Sequence, residues 1–417
     1  MDLQFERRAW TAIYLALGLV EGGTAAVMVR SLFATQVSKP LVDLVLALVS
    51  SAPAWANLAS LAYARRAQGR PKIAFLQPLL VAMSLCIGAL ALVPQSARGL
   101  LIFFLLYAAA RLLWAGVETV RAVLWSVNYP NRMRARITGR ININTSVVLA
   151  LTGLGLGWLL GHGGAWWRLM VVLGAAGGLL GSVAFSRFRV RREAALLEAE
   201  RVRVEQGARF GVAGIRELMN RDPVFREYQL AMAMFGAGML TLTPLMVVCQ
   251  NEVLGLPALV QVLVTTAVPV LVVPFATRPW ASYLDHRRVL AFRAAHGRVA
   301  VAAAALLMAA VLTRVPWLLL PGALLMGVSV AAGNLGWSLG HNDFAPRGEE
   351  TRYMALHVTL TGVRGLVTPP IAIGLYHLFE AWRAGLGALA LLLPFALIAT
   401  GARRFTVMHR AGLLPGT

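Results

Sequence analysis

The chemistry this sequence offers sits inside long apolar runs. Glu21 lies in such a run beside Gly22 and Gly23. Arg111, Trp114, Glu118 and Arg121 recur at i, i+3, i+7 and i+10, which puts all four on one face of a helix. His357, Thr361, Arg364 and Thr368 form a second, weaker stripe, followed by Pro369 and Pro370. Asn334, Trp337, Ser338 and His341 precede Asn342 and Asp343. A buried carboxylate such as Glu21 can take up and release a proton, because burial favours its neutral form. A guanidinium such as Arg111 or Arg364 can grip a planar anion with its fork of donors. The competing reading is a fixed Glu21–Arg111 pair that only ties helices together. Arg121 is expected to snorkel toward one end of its helix, and His357 to lie near an interface.

Other chemistries find no support. The two lysines, Lys39 and Lys72, do not complete a GxxxxGK phosphate loop. There is no HExxH motif, and Cys86 and Cys249 stand alone in apolar runs. The methionines at 232, 234, 239 and 246 do not share a face, so they read as packing rather than a soft-metal path. The expectation is a chain that is not an enzyme and needs no cofactor or metal.

The elements that position these residues follow from composition. Of 417 residues, 58% are hydrophobic and 14% charged. A soluble surface needs about a quarter of its residues charged. Roughly 20 apolar residues cross a bilayer as a helix, and runs of that length recur at 10–34, 41–63, 72–94, 98–125, 141–161, 166–187, 227–250, 257–279, 290–313, 316–340, 354–378 and 383–402. This is an all-α membrane protein of twelve spans. The net charge of +21 gathers in alternate loops, around Arg65–Lys72, Arg132–Arg140, Arg187–Arg226, Arg287–Arg288, Arg347–Arg352 and Arg403–Arg410. Positive-inside asymmetry explains it without nucleic acid and places both termini in the cytoplasm. Met1–Trp10 leads into a retained first helix, not a signal peptide. Heavy use of Arg over Lys suggests a bacterial inner membrane.

The chain divides into bundles at 1–187 and 226–417, joined by a polar linker at 188–225 in which Phe210–Leu218 can lie amphipathically on the membrane. The halves echo each other at an offset of about 215 residues: Trp167-Arg168 with Trp382-Arg383, Trp125-Ser126 with Trp337-Ser338, Arg136 with Arg352. Arg30 and Asp43 sit at span ends, where snorkelling suffices. Gly153, Gly155, Gly157 and Gly161 are expected to admit close helix packing.

Six spans, a linker and six spans resemble the major facilitator superfamily. The family's Gly-x-Leu-x-Asp-Arg-x-Gly-Arg-Arg loop is matched between spans 2 and 3 by Leu61 to Lys72 without its acidic residue. Between spans 8 and 9 the segment Tyr283 to Leu290 keeps Asp285, Arg287 and Arg288. By resemblance these three clamp neighbouring helix ends; Pro369 and Pro370, which break backbone hydrogen bonds inside a helix, are expected to kink it and serve as a gate. Spans 1, 4, 7 and 10 line a central cavity in that family. The resemblance therefore brings Glu21, as a proton-coupling group, into one cavity with Arg111, Trp114, Glu118 and Asn334, which bind a small organic solute; Arg364, the deepest cation of the second half, is expected to join them. Their charge slightly favours an anion or zwitterion. The implied protein is a lipid-embedded monomer that works by alternating access. The rival readings are a receptor or assembly factor without turnover, and a lipid flippase or exporter.

Overall fold

The structure is a computed structural model. It describes residues 3–129, 131–205, 212–341, 343–346 and 349–413. Every regular element among these residues is helical. Ten helices are long and apolar enough to cross a bilayer, and two bent pairs supply one span each. Spans 1 and 2 are those pairs, Leu3–Leu19 with Gly22–Phe33 and Lys39–Ser50 with Ala52–Ala67, bent by 41° and 51°. Spans 3 to 6 are Lys72–Leu92, Ala97–Trp125, Ile137–Gly161 and Trp166–Phe185. Spans 7 to 12 are Pro223–Glu252, Ala258–His286, Val289–Leu312, Pro316–Leu339, Arg352–Trp382 and Gly387–Arg410. Two helices, Glu193–Glu205 and Val212–Arg221, lie between spans 6 and 7. Phe210 and Asn342 fall outside the described residues.

The packing repeats with a shift of six spans. Span 1 packs on 6 and 5, and span 7 on 12 and 11; span 3 packs on 4 and 6, and span 9 on 10 and 12. The halves meet where span 2 touches 11 and span 5 touches 8. Adding six to each member of one pair generates the other, as a twofold relation between two six-helix bundles requires.

Small residues bring the halves together, because dispersion contacts rather than water drive association in lipid. A Cβ at Gly362 would lie 2.4 Å from Leu58 Cγ, and one at Gly365 would lie 2.7 Å from Ala54 Cβ. Gly157 faces Leu259 and Val262 across the other junction, and Gly153 also reaches Val262. Gly155 instead meets Met170 of its own half, and Gly161 meets nothing within 4 Å.

The junction is confined to one end. Gly22–Phe33, Lys39–Ser50 and Ala52–Ala59 contact the second half. Leu3–Leu19 and Ser60–Ala67 pack on their own half. The bend in span 1 thus falls where its helix leaves the junction, whereas span 2 stays on the second half through residues 52–59, past its bend. The halves close at the end holding Arg30, Asp43 and Glu252, called the outer end below on the positive-inside expectation, and part at the basic end that carries the linker.

Candidate functional site

Glu21 occupies the break in span 1, as the extended residue before the helix that starts at Gly22. Its carboxylate lies 3.7 Å from Arg111 Nη1, so spans 1 and 4 meet through this pair. Arg111 is buried, whereas Glu21 remains about one-third exposed. Glu118, two turns further along span 4, is exposed and pairs with Arg121 at 3.5 Å. Two carboxylates thus keep exposed surface near a buried cation, Glu21 at the break of span 1 and Glu118 on span 4.

The rest of the span 4 stripe turns into its own bundle. Trp114 is buried edge-on against Trp10 and Tyr14, which removes it from the surface of the cleft. Arg121 does not snorkel. Its guanidinium sits 4.8–5.3 Å from the ring centroids of Trp10, Trp114 and Trp125 and donates to Tyr14 Oη at 3.0 Å. Cation–π attraction to three rings offsets much of the cost of holding this charge inside. Glu6 completes the cage by accepting from the indoles of Trp10 and Trp125.

In the second half, Arg364 is buried and donates to Met232 O and, at 2.6 Å, to Thr361 Oγ1. Gly236 on span 7 leaves the room that its guanidinium fills. His357 is fully buried rather than interfacial, with its Nδ1 3.4 Å from the Gln229 amide. Asn334 is exposed on span 10. Pro369 and Pro370 lie inside an unbroken helix, Glu350–Trp382, so the breaks fall in spans 1 and 2 instead.

At the outer end the structure assembles charges that sequence reading left at separate span ends. Arg30 pairs with Asp43 of its own half and with Glu252 and Asn251 of the other. Lys39 reaches Glu252 at 2.9 Å, and His377 Nε2 lies 3.0 Å from Asp43 Oδ2. The His377 contact lacks the alignment of a hydrogen bond. Arg30 and Asp43 are almost completely buried, so this is an internal latch between halves rather than a pair of snorkelling side chains. It borders a cavity of about 170 Å³ that Tyr376, Arg314 and Glu380 also line. A larger concavity of about 620 Å³ opens on the first half, lined by Ser31, Pro94, Leu159 and Arg168 among others.

The sequence model of the Major Facilitator Superfamily matches residues 10–369. The chain belongs to this superfamily. No curated protein matches it. Among solved structures, a D-xylose–proton symporter superposes with a TM-score of 0.70 at 12% identity, covering 97% of this chain and 96% of its own. A bacterial homologue of the human lysosomal transporter Spinster, in an inward-facing and occupied conformation, gives 0.70 at 13% identity, with 99% and 97% covered. The nucleoside transporter NupG, as a D323A mutant, gives 0.68 at 9% identity, with 98% and 100% covered. At these identities the likeness is one of fold.

Two loops of this superfamily member depart from the expected clamp. Asp285, Arg287 and Arg288 are exposed, and among the described residues none of the three forms an ion pair. The N-terminus of span 9 is instead met by Asp343, whose Oδ2 accepts from Val289 N at 2.8 Å. In the loop between spans 2 and 3, which lacks its own acid, the linker supplies one. Glu200 accepts from Gly69 N at 2.8 Å and from Lys72 Nζ at 2.5 Å, and Glu193 accepts from Lys72 N at 3.1 Å. The second linker helix docks on the other half, through Arg221 with Glu349 and Glu217 with Arg352.

Proposed function

We propose that this chain is a secondary transporter that moves a small organic solute by alternating access. The observation that carries this reading is the asymmetry of the junction. The halves are latched and tightly packed at one end and separate at the other, with Glu21, Arg111 and Glu118 at the floor of the separation. A rigid rocking of two similar halves about spans 2, 5, 8 and 11 exchanges the open end. On the positive-inside assignment, both termini lie in the cytoplasm and the cleft opens there. The protein stands in the bacterial inner membrane as a monomer, and an ion gradient or the solute's own gradient drives it.

Glu21 is the proton-coupling group in this reading. It is a carboxylate at a helix break, partly exposed to the cleft and set against the buried Arg111. Protonation would release Arg111, and a solute group or the returning carboxylate would take its place. The bundles 1–187 and 226–417 are the rocking bodies, with 188–225 as their tether. Trp114 and the prolines of span 11 carry no direct role here.

Reconstitution into proteoliposomes with a panel of sugars, nucleosides, peptides and organic acids tests the proposal. Gradient-driven flux of one class is expected, and Glu21→Gln should abolish its dependence on a proton gradient while leaving the protein folded. Unchanged proton dependence in that variant removes Glu21 from the coupling. Binding without flux for every ligand that binds favours a receptor, and movement of labelled lipid between leaflets favours a flippase.

A further inference from the structure

Four arginines are buried among the described residues: Arg30, Arg111, Arg293 and Arg364. The two in the first half have carboxylate partners, Asp43 and Glu252 for Arg30 and Glu21 for Arg111. The two in the second half have none within 4 Å among the described residues. A guanidinium cannot shed its charge by losing a proton. A charge held in a membrane protein without a counter-charge costs several kcal/mol.

The two unpaired cations belong to one cluster. Arg293 Nε donates to Tyr228 Oη at 3.1 Å, and the guanidinium stacks about Tyr228 and Phe405 with ring centroids 6.0 Å away. One helical turn along span 7 from Tyr228, the carbonyl of Met232 receives Arg364. Between them on the same span, Gln229 faces His357. Arg364, Arg293 and His341 all act electrostatically on His357, and Arg293 acts on Arg364 as well. Neutral acceptors take some of these donors, but Arg293 Nη2, Arg364 Nε and His357 Nε2 are all buried without a partner. Two glycines, Gly236 and Gly336, admit the guanidinium groups against helix backbone. The arrangement has cations and spare donors and, among the described residues, no carboxylate to balance them.

We propose that spans 7, 9 and 11 bind an oxyanion group, a carboxylate or phosphate, through Arg364, Arg293 and His357. This rests on the transporter reading, in which the oxyanion belongs to the solute and neutralises the second half while Glu21 neutralises Arg111 in the first. Approach is over Arg364, which keeps 9% exposure against 1% for Arg293. The oxyanion satisfies the Nε of Arg364 first and draws Arg293 in behind it. An anionic solute then lowers the cost of closing the cleft, because it removes the unpaired charge that closure would desolvate further.

The test uses the purified full chain in lipid nanodiscs, with inorganic phosphate and the pair succinate and succinamide as probes, at constant ionic strength in chloride. Thermal shift and calorimetry should show binding of phosphate or succinate and none of succinamide. Arg364→Gln and, as a milder change, His357→Gln should each weaken that binding, the former by about tenfold or more, the loss expected for charge-assisted hydrogen bonds. Arg364→Lys should restore part of it. If Arg364→Gln does not fold, the His357→Gln and Arg364→Lys affinities decide. Anion binding that none of these variants changes overturns the site. Flux of a neutral solute with no anion binding also overturns it and leaves the transporter reading intact. Anion binding that these variants weaken, with no flux of any probe, sustains the site and overturns the transporter reading.

Discussion

Glu252 offers the cleanest way to unlatch the outer end. Arg30 and Asp43 belong to one half and stay paired however the halves move, whereas Glu252 reaches Arg30 and Lys39 from the other half. The Lys39 arm is 59% exposed on the lysine side and contributes about 0–1 kcal/mol. The Arg30 arm joins a buried guanidinium to a carboxylate that is 28% exposed. Charge-assisted bonds of that kind contribute roughly 1.5–3 kcal/mol. Glu252→Gln keeps an acceptor but loses the charge, so the outer-closed state should lose about 2 kcal/mol, which is about 30-fold in the equilibrium toward the outer-open state. The outer-open state loses nothing, because there these groups face water. Cys249 is a built-in reporter: it is fully buried, lies one turn before Glu252 and is an electrostatic neighbour of Arg30 and Asp43. In a Cys86→Ala background, a membrane-impermeant thiol reagent applied from the outer face should label Cys249 about 30-fold faster in Glu252→Gln than without it. That ratio follows from the same 2 kcal/mol when opening and reclosing are fast relative to labelling. A labelling rate unchanged within about twofold, in a protein that melts normally, would refute the latch. Fast labelling of the unsubstituted protein would refute its closure outright.

Three further outcomes follow from other contacts. Glu200→Gln should free the first linker helix from the loop between spans 2 and 3, at a cost of about 1–3 kcal/mol because Lys72 is buried and keeps only carbonyl partners; faster amide exchange over 193–205 checks it. Gly365→Val should push span 11 off Ala54 and Trp55 and destabilise the junction by about 1–3 kcal/mol, read as a lower melting temperature together with faster Cys249 labelling. Arg221 holds the Glu349 carboxyl below its ordinary range through a hydrogen bond. Docking of the Val212–Arg221 helix should therefore persist above and through the ordinary carboxylate range and fail only as pH falls through the lowered value; amide exchange of 212–221 against pH checks the direction.

Much of the fold was legible because lipid leaves few choices. Run length gave twelve spans, loop charge gave their alternation, and dipeptide echoes such as Trp167-Arg168 with Trp382-Arg383 pointed to the sixfold shift seen in the packing. The Glu21–Arg111 approach was also legible, since spans 1 and 4 are neighbours in the family the chain resembles. The latch was not. Arg30 and Glu252 are 222 residues apart, and each alone looks like a charge reaching for the interface. Arg293 was passed over although it lies inside the run at 290–313, and its spacing to His296 there was a usable signal. Trp114 was misread because helical periodicity fixes which residues share a face but not the width of that face. Arg111 meets Glu21 and Glu118 is exposed, while Trp114 between them turns toward Trp10.

The placement of charge divides work between the halves. In the first half each buried cation has a resident carboxylate, so its neutrality can be altered by a proton on Glu21. In the second half the buried cations lack one among the described residues, and in the oxyanion proposal neutrality arrives from outside. A machine built this way has a reason to couple the two events. With Glu21 ionised and no anion present, only the first half is balanced, and closing the cleft around Arg364 would desolvate an unpaired charge. With an anion bound, the second half is balanced as well and the cleft can close; a proton on Glu21 then frees Arg111 to share the anion or compete for it. The order of these two steps decides between symport and exchange. The Glu21→Gln variant isolates one step and the Arg364→Gln variant the other. A double variant whose flux defect exceeds neither single defect would show that both charges act on one closure.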